Sequence, residues 1–189
     1  MDNLPDNQLI QLSVEGRSEA FNTLVIRYQD RLVHSLTQAL GSRDDALEIA
    51  QQAFVSAWRR LDSFRQDAAF YSWLYRIAMN AAISRKRQQR LPTTSLDSYV
   101  AASGHTPVDV NSDTNPERRL VSEERVQLVQ TALMKLPEEF RQPLVLKEID
   151  GFSYDDIAKI LDIPIGTVRS RIFRARRELT EQLKRILPK

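Results

Sequence analysis

The sequence predicts an all-α chain, two helical domains joined by a flexible acidic linker. Apolar residues recur every three or four positions over long stretches at both ends, which is the spacing of one helix face. Neither end shows the pattern of a β-rich chain. Between them, residues 91–117, "LPTTSLDSYVAASGHTPVDVNSDTNPE", are rich in Ser, Thr, Asp and Pro, keep no sustained period and hold no Lys or Arg. The predicted division is 1–91, 92–117 and 118–189, with four helices expected in each helical domain.

In chain order, Ser18 is placed as the cap of a long helix that Gly41 stops after Leu40. Its apolar face is Phe21, Leu24, Val25, Tyr28, Leu32, Leu36 and Leu40. Ser42, with Asp45 three positions on, starts a second helix to about Leu61, whose buried face is Ala46, Ile49, Ala50, Ala53, Phe54 and Ala57. A third, from about Ala68 to Arg90, opens with Phe70, Tyr71, Trp73 and Tyr75 and closes on "SRKRQQR". Such an aromatic start is core, or else, interleaved with Arg65, Arg76 and Asn80, a place where bases stack on rings while cations hold phosphates. Beyond the linker come a helix from Arg118 to Leu136 and the segment "PEEFRQPLVLKEID" around Pro137 and Pro143.

The last two helices carry the sharpest pattern. In "GFSYDDIAKILDI", Ser153 and Asp156 form a capping-box-like start, and Ile157, Ala158, Ile160 and Leu161 supply the buried side. Asp162 tolerates the left-handed backbone of a tight corner, and Pro164 suits the first position of the next helix because it has no N–H to leave unpaired. That helix, "PIGTVRSRIFRARREL", holds five arginines in sixteen residues. Val168, Ile172, Ala175 and Leu179 form its narrow apolar stripe, while Arg169, Ser170, Phe173, Arg174 and Arg177 fall opposite and Arg171 and Arg176 flank. A short helix, a corner and a basic helix make a helix-turn-helix, whose second helix presents side chains to base edges in the major groove. Arginine suits guanine, serine serves any base, and an exposed aromatic touches a thymine methyl.

Composition excludes several function classes. The net charge of +2 hides a strong asymmetry: residues 165–189 carry eight Lys or Arg against Glu178 and Glu181. There is no cysteine, so no disulfide or thiolate metal site, and His34 and His105 are isolated. No nucleophile arrangement, metal cluster or phosphate loop is identifiable, which argues against an enzyme and against a metal, cofactor or small-molecule substrate. "MDNLPDNQLIQL" lacks the basic flank and apolar run of a signal segment, and no stretch of eighteen apolar residues occurs, so a cytoplasmic protein is expected.

The stretches "FNTLVIRYQDRL", "DSFRQDAAFYSWLYRIAMNAA", "LPEEFRQPLVLKEIDGFSYDDIAKIL" and "PIGTVRSRIFRARREL" together resemble the extracytoplasmic-function group of bacterial RNA polymerase sigma factors, in particular the cell-envelope stress group. The most specific elements are Phe64-Arg65 followed by Trp73-Leu74, Ile77-Ala78 and Asn80, and the run Gly166 to Arg171. The resemblance implies a protein that binds core polymerase, recognises minus 35 and minus 10 promoter elements and helps open the DNA, with no catalytic step of its own.

By matching positions, Thr167, Arg169, Ser170, Arg171, Phe173 and Arg174 would serve the minus 35 element, with Arg176 and Arg177 near phosphate. Phe64, Arg65, Gln66, Asp67, Trp73, Arg76 and Asn80 would capture a flipped minus 10 base. Gln66 stands where the family usually has Gly. "DDALEIAQQAFVSAW" resembles the helix that docks on a coiled coil of the largest polymerase subunit, with Asp45, Glu48, Gln51, Gln52 and Phe54 as contacts. Leu47 and Gln52 replace acidic residues common in the family. The second domain would dock on the flap of the second-largest subunit. Asp97, Asp109 and Asp113 of the linker would mimic nucleic-acid charge in a polymerase channel. Promoter DNA and an anti-sigma factor, often membrane-anchored in this family, complete the implied partners, with sequestration at the inner membrane face. The competing reading is a free-standing regulator that dimerises through its first half and binds a palindrome without polymerase.

Overall fold

A computed structural model describes residues 1, 3–65, 68–90 and 116–186, with the side chains of 89, 90, 116–124 and 186 left aside. The expected linker, 92–117, lies outside the described residues up to the start of the fifth helix. Among the described residues there are eight α-helices and no strand: α1 (Asp6–Val14), α2 (Ser18–Leu40), α3 (Arg43–Arg59), α4 (Phe70–Arg90), α5 (Pro116–Lys135), α6 (Glu138–Glu148), α7 (Tyr154–Leu161) and α8 (Ile165–Ile186). Four stand on each side of the linker, as expected.

The predicted faces are the buried ones. Leu24, Leu32 and Leu36 on α2 meet Ala46, Ala53 and Ala57 on α3 and Leu74 and Ala78 on α4, all inaccessible to solvent. Ala46, Ala53 and Ala57 leave little between backbones, so neighbouring helices pack closely at that seam. On α8, Val168, Ile172 and Ala175 are buried and Leu179 is partly so.

Helix ends follow local chemistry with two corrections. Ser42 Oγ accepts from Asp45 N–H at 3.2 Å and Ser153 Oγ from Asp156 N–H at 3.1 Å, both as expected. Ser18, however, does not cap α2. It is the first helical residue, and the capping position falls on Arg17 without a side-chain bond. The preceding corner sets this register: Gly16 has φ +94 and the Arg17 N–H reaches back to Leu12 O at 3.0 Å. Pro164 likewise sits just ahead of α8 and not at its first position, its carbonyl accepting from Val168 N–H at 3.1 Å. Asp162 adopts the left-handed conformation, φ 53 and ψ 49, as the corner required.

The two halves are packed against each other. Buried residues from both form one continuous cluster, in which Phe152 of the α6–α7 turn reaches Tyr71 and Tyr75 of α4. Arg141 of α6 is buried at the C-terminus of α2, donating to Ala39 O at 3.1 Å and Leu40 O at 3.4 Å. The last carbonyls of a helix lack intrahelical donors and sit at its negative end, so a guanidinium there satisfies both needs. Gly41 makes the approach feasible: its φ of +84 ends α2, and a Cβ there would lie 3.2 Å from Met134 Sδ.

Candidate nucleic-acid interface

The basic helix divides its arginines between two tasks. Arg171 and Arg176, the flanking pair, turn inward to α6: Arg171 pairs with Glu139 at 3.1 Å, and Arg176 places Nε 3.0 Å from Glu148 Oε1. Arg169 leans over the Tyr154 ring at 5.7 Å from its centroid. Arg174 and Arg177 are exposed and, among the described residues, bond to no other group. Ser170 donates to Thr167 O at 3.0 Å and is exposed, while Thr167 is half-buried. Phe173, next to Arg174, is 68% exposed. A large ring in water beside unpaired guanidiniums is the arrangement expected of a groove-reading face.

The aromatic start of α4 splits in two. Phe70, Tyr71 and Tyr75 are core, the first of the two readings. Phe64 and Trp73 are half-buried, with ring centroids 4.9 Å apart, and with Ala68, Ser72 and Arg76 they line a cleft of about 190 Å³. Its opposite wall is α7, through Asp156, Lys159 and Ile160. Arg65 and Asn80 are exposed and do not line this cleft, and Gln66 and Asp67 lie outside the described residues.

On α3, Arg85 of α4 ion-pairs with Glu48 and, at 3.1 Å, with Asp45, while Gln52 Nε2 donates to Glu48 at 3.2 Å. The Glu48 hydrogen bond raises the Arg85 pKa further. Gln51 is exposed. Phe54 is 8% exposed and packed in the core, so it holds the helix in place and is not itself a surface for a partner. Leu47, singled out above only for the acidic residue it replaces, is joined by Val55 and Trp58, which sequence reasoning passed over: 46%, 47% and 41% exposed, they run with Gln51 along one outer stripe of α3. Their spacing of about one turn was the available signal.

A second group was missed altogether. Asp150, at the α6–α7 turn, is buried against the N-terminal half. Its carboxylate accepts from the Ser35 hydroxyl and, at 2.8 Å, from the Tyr71 hydroxyl, and Arg31 Nε lies 3.6 Å away. Arg31 also donates to the Asp150 backbone carbonyl at 2.8 Å and stacks over the Tyr71 ring at 4.1 Å. Burial pushes the Asp150 pKa up, against the opposing pull of the Ser35 and Tyr71 hydrogen bonds and the charges of Arg31 and His34. Tyr71 and Tyr75 are pushed up too, chiefly by burial and then by the Asp150 charge.

Among the described residues no cluster of metal-ligating side chains occurs, and no helix is long and apolar enough to cross a membrane.

Comparison with known proteins places these surfaces in context. The sigma-70 region 2 family matches residues 24–91, which hold the Phe64–Trp73–Arg76 side of the cleft and the α3 stripe, and the sigma-70 region 4 family matches residues 127–179, which hold the cleft's α7 wall and the helix-turn-helix. The chain is 41% identical over 188 residues to the ECF RNA polymerase sigma-E factor of Escherichia coli K12, covering 98% of each. It is 38% identical over 187 residues to the RNA polymerase sigma-H factor of Pseudomonas aeruginosa, covering 96% of this chain and 95% of that one. Among solved structures it resembles the sigma factor RpoE of Bartonella quintana, in complex with the anti-sigma factor NepR, with TM-score 0.70 and 27% identity over 87% of this chain and 96% of that one. It also resembles CnrH bound to the cytosolic domain of CnrY, with TM-score 0.64 and 28% identity over 95% of this chain and 97% of that one. With both conserved regions matched in order and a relative aligned over nearly its full length, the chain belongs to the extracytoplasmic-function group of the sigma-70 family of sigma factors.

Proposed function

We propose that this sigma factor divides its work among three surfaces. The chain binds core RNA polymerase, recognises minus 35 and minus 10 promoter elements and promotes DNA opening, while the polymerase performs the chemistry. In this reading α8 enters the major groove at the minus 35 element with Arg169, Ser170, Phe173 and Arg174, and Arg177 neutralises phosphate. Arg171 and Arg176 hold the helix to α6. The Phe64–Trp73–Arg76 cleft receives a flipped minus 10 base, with Arg65 and Asn80 along the strand's path. Extruding a base costs a few kcal/mol, which stacking of about 1 to 3 kcal/mol per base offsets. The outer face of α3, with Asp45, Glu48, Gln51 and Gln52 around the Leu47–Val55–Trp58 stripe, receives the coiled coil of the largest subunit, and the second half meets the flap.

We rest this reading on two unlike surfaces in one chain, an exposed arginine face on α8 that suits duplex and a half-buried aromatic pair, Phe64 and Trp73, that suits a single base. A free-standing duplex regulator has no use for the second. The solved sigma factor RpoE of Bartonella quintana was captured with the anti-sigma factor NepR, and we extend such a partner to this chain, holding it at the inner membrane face when that partner is membrane-anchored. Run-off transcription on a genomic fragment library, with core polymerase and with or without the chain, tests the proposal. New starts that share a bipartite upstream motif are expected. No new starts, with duplex binding by the chain alone, would sink it.

A further inference from the structure

We propose that Tyr154, on the first helix of the helix-turn-helix, is a positioning residue for the minus 35 element: its ring holds the Arg169 guanidinium in place before DNA arrives and so sets how sharply that arginine discriminates one base pair. This rests on the assignment of α8 to that element. Tyr154 is the first residue of α7, and Arg169 lies near the N-terminal end of α8, the part of such a helix that meets base edges. The Arg169 guanidinium carbon stands 5.7 Å from the centre of the Tyr154 ring, inside the reach of about 6 Å over which a ring face attracts a cation. The ring is itself braced. Lys147 of α6 places its ammonium 5.0 Å from the same centre and donates to Phe152 O at 3.1 Å. At the far end of the ring the hydroxyl meets Arg176, whose pKa is raised chiefly by the Glu148 hydrogen bond, with Tyr154 adding to it.

The kind of partner decides what each arginine of α8 can still do. Arg171 and Arg176 are engaged by the carboxylates of Glu139 and Glu148, which accept their N–H groups. A ring face offers no lone pair, so the contact with Tyr154 confines Arg169 while its N–H donors remain for a base, and a guanidinium with free donors can meet guanine through two bonds. Arg169 is exposed, so without the ring its long side chain would sample many rotamers and lose that freedom on meeting a base. A contact that restricts it beforehand removes part of this loss, which is how preorganisation strengthens recognition. The neighbouring side chains of the reading face need no such support. Ser170 is tied to Thr167 O at 3.0 Å, and the ring of Phe173 is stiff. Among the described residues of that face, Arg169 is the one that rests on an aromatic ring.

The test uses polymerase holoenzyme carrying the full chain. Duplex promoters with the upstream element found in the run-off experiment, and with each of its single-base-pair changes, compete in one transcription mixture. Tyr154→Leu should lower discrimination about two- to fivefold at one base pair, the one whose preference Arg169→Ala removes, and leave the other positions as they were. Tyr154→Phe keeps the ring and should restore the parental preference. In the Arg169→Ala background, Tyr154→Leu should cause no further loss. Each value is a ratio between templates read by the same preparation, so a smaller folded fraction in a variant cancels. An equal loss on all templates, or a loss that persists in the Arg169→Ala background, makes Tyr154 a packing or phosphate-contact residue and overturns the proposal. So does a Tyr154→Phe variant that behaves as Tyr154→Leu, which assigns the effect to the hydroxyl, or sharper discrimination in Tyr154→Leu, which means that the ring holds Arg169 away from the base. Failure of the underlying reading looks different. Preferences untouched by Arg169→Ala remove that arginine from base reading and the proposal with it, whereas an Arg169→Ala effect without a Tyr154→Leu effect removes the ring alone.

Discussion

The hydroxyl of Tyr71 donates a 2.8 Å hydrogen bond to Asp150, 79 positions further along the chain and in the other half of the molecule. The carboxyl it serves is buried in the folded chain and solvated in the unfolded one, so the two states bind its proton unequally. Burial raises the folded-state pKa above the ordinary value of 3.8, and folding is therefore favoured by protonation of this group. The stabilisation is fully present below the ordinary value and is lost as pH rises through the raised one. Acidification within that window should raise this carboxyl's contribution to stability, read from urea midpoints at a series of pH values, and Asp150→Asn should flatten that response. The groups facing Asp150 are Arg31 and His34 from α2 and Tyr71 and Tyr75 from α4. A pH response unchanged in Asp150→Asn would overturn the assignment to this carboxyl.

Gly41 answers two constraints at once, a left-handed backbone at φ +84 and the nearby Met134 sulfur. Gly41→Ala should lower stability by about 1 to 2 kcal/mol from the backbone term, with an added loss if Met134 cannot give way. Gly16→Ala supplies the comparison, since Gly16 has φ +94 and nothing within 4 Å of the Cβ position. Urea midpoints of the two variants separate backbone strain from crowding between α2 and α5. Equal losses would mean that the methionine moves freely.

What could be seen in the sequence is what has a period or a local partner. The Ala46 to Ala57 face of α3 shows in the spacing, the Asp162 corner in an Asp two residues before a Pro, and the Ser42 and Ser153 caps in acidic residues three places on. The group around Asp150 has neither property. Ser35 and Asp150 are 115 positions apart, and a polar residue on an apolar face reads as an imperfection until its partner is in view. The α3 stripe was only partly visible: Leu47 shows as a departure from an acidic position, but scattered exposed apolar residues are common on any surface, so Val55 and Trp58 join it only once their common orientation is known. Phe54, which the resemblance offers as a contact, has its ring in the core at 8% exposure, a placement that a match along the segment does not show.

Phe64 and Trp73 face each other at 4.9 Å, so a base entering the cleft gains a ring contact and displaces one. Trp73→Ala should therefore weaken promoter opening by about 1 to 3 kcal/mol, the range for loss of a stacked base, while duplex binding through α8 is unchanged. Trp73→Phe should recover most of it. Permanganate reactivity of minus 10 thymines measures strand separation directly, and full reactivity in Trp73→Ala would remove this residue from the site.

Arg174 and Arg176 are two residues apart on α8 and occupied differently. Arg174 bonds to no other described group, whereas Arg176 is engaged by Glu148, both side chains being about half exposed at 53% and 49%. An exposed pair of this kind contributes about 0 to 1 kcal/mol, so Arg176→Ala should scarcely move the unfolding midpoint. Because its guanidinium is held sideways to α6, its loss should weaken DNA binding little and equally at all sequences. Arg174→Ala should cost about 1 to 3 kcal/mol at the preferred upstream element and relax the preference at one base pair, as removal of a bidentate guanine contact does. Selection of upstream elements from a randomised pool by each variant separates the cases. A uniform loss for Arg174→Ala, with the preferred base retained, would move Arg174 from base reading to phosphate contact and leave Phe173, Arg169 and Ser170 to carry the specificity of the helix.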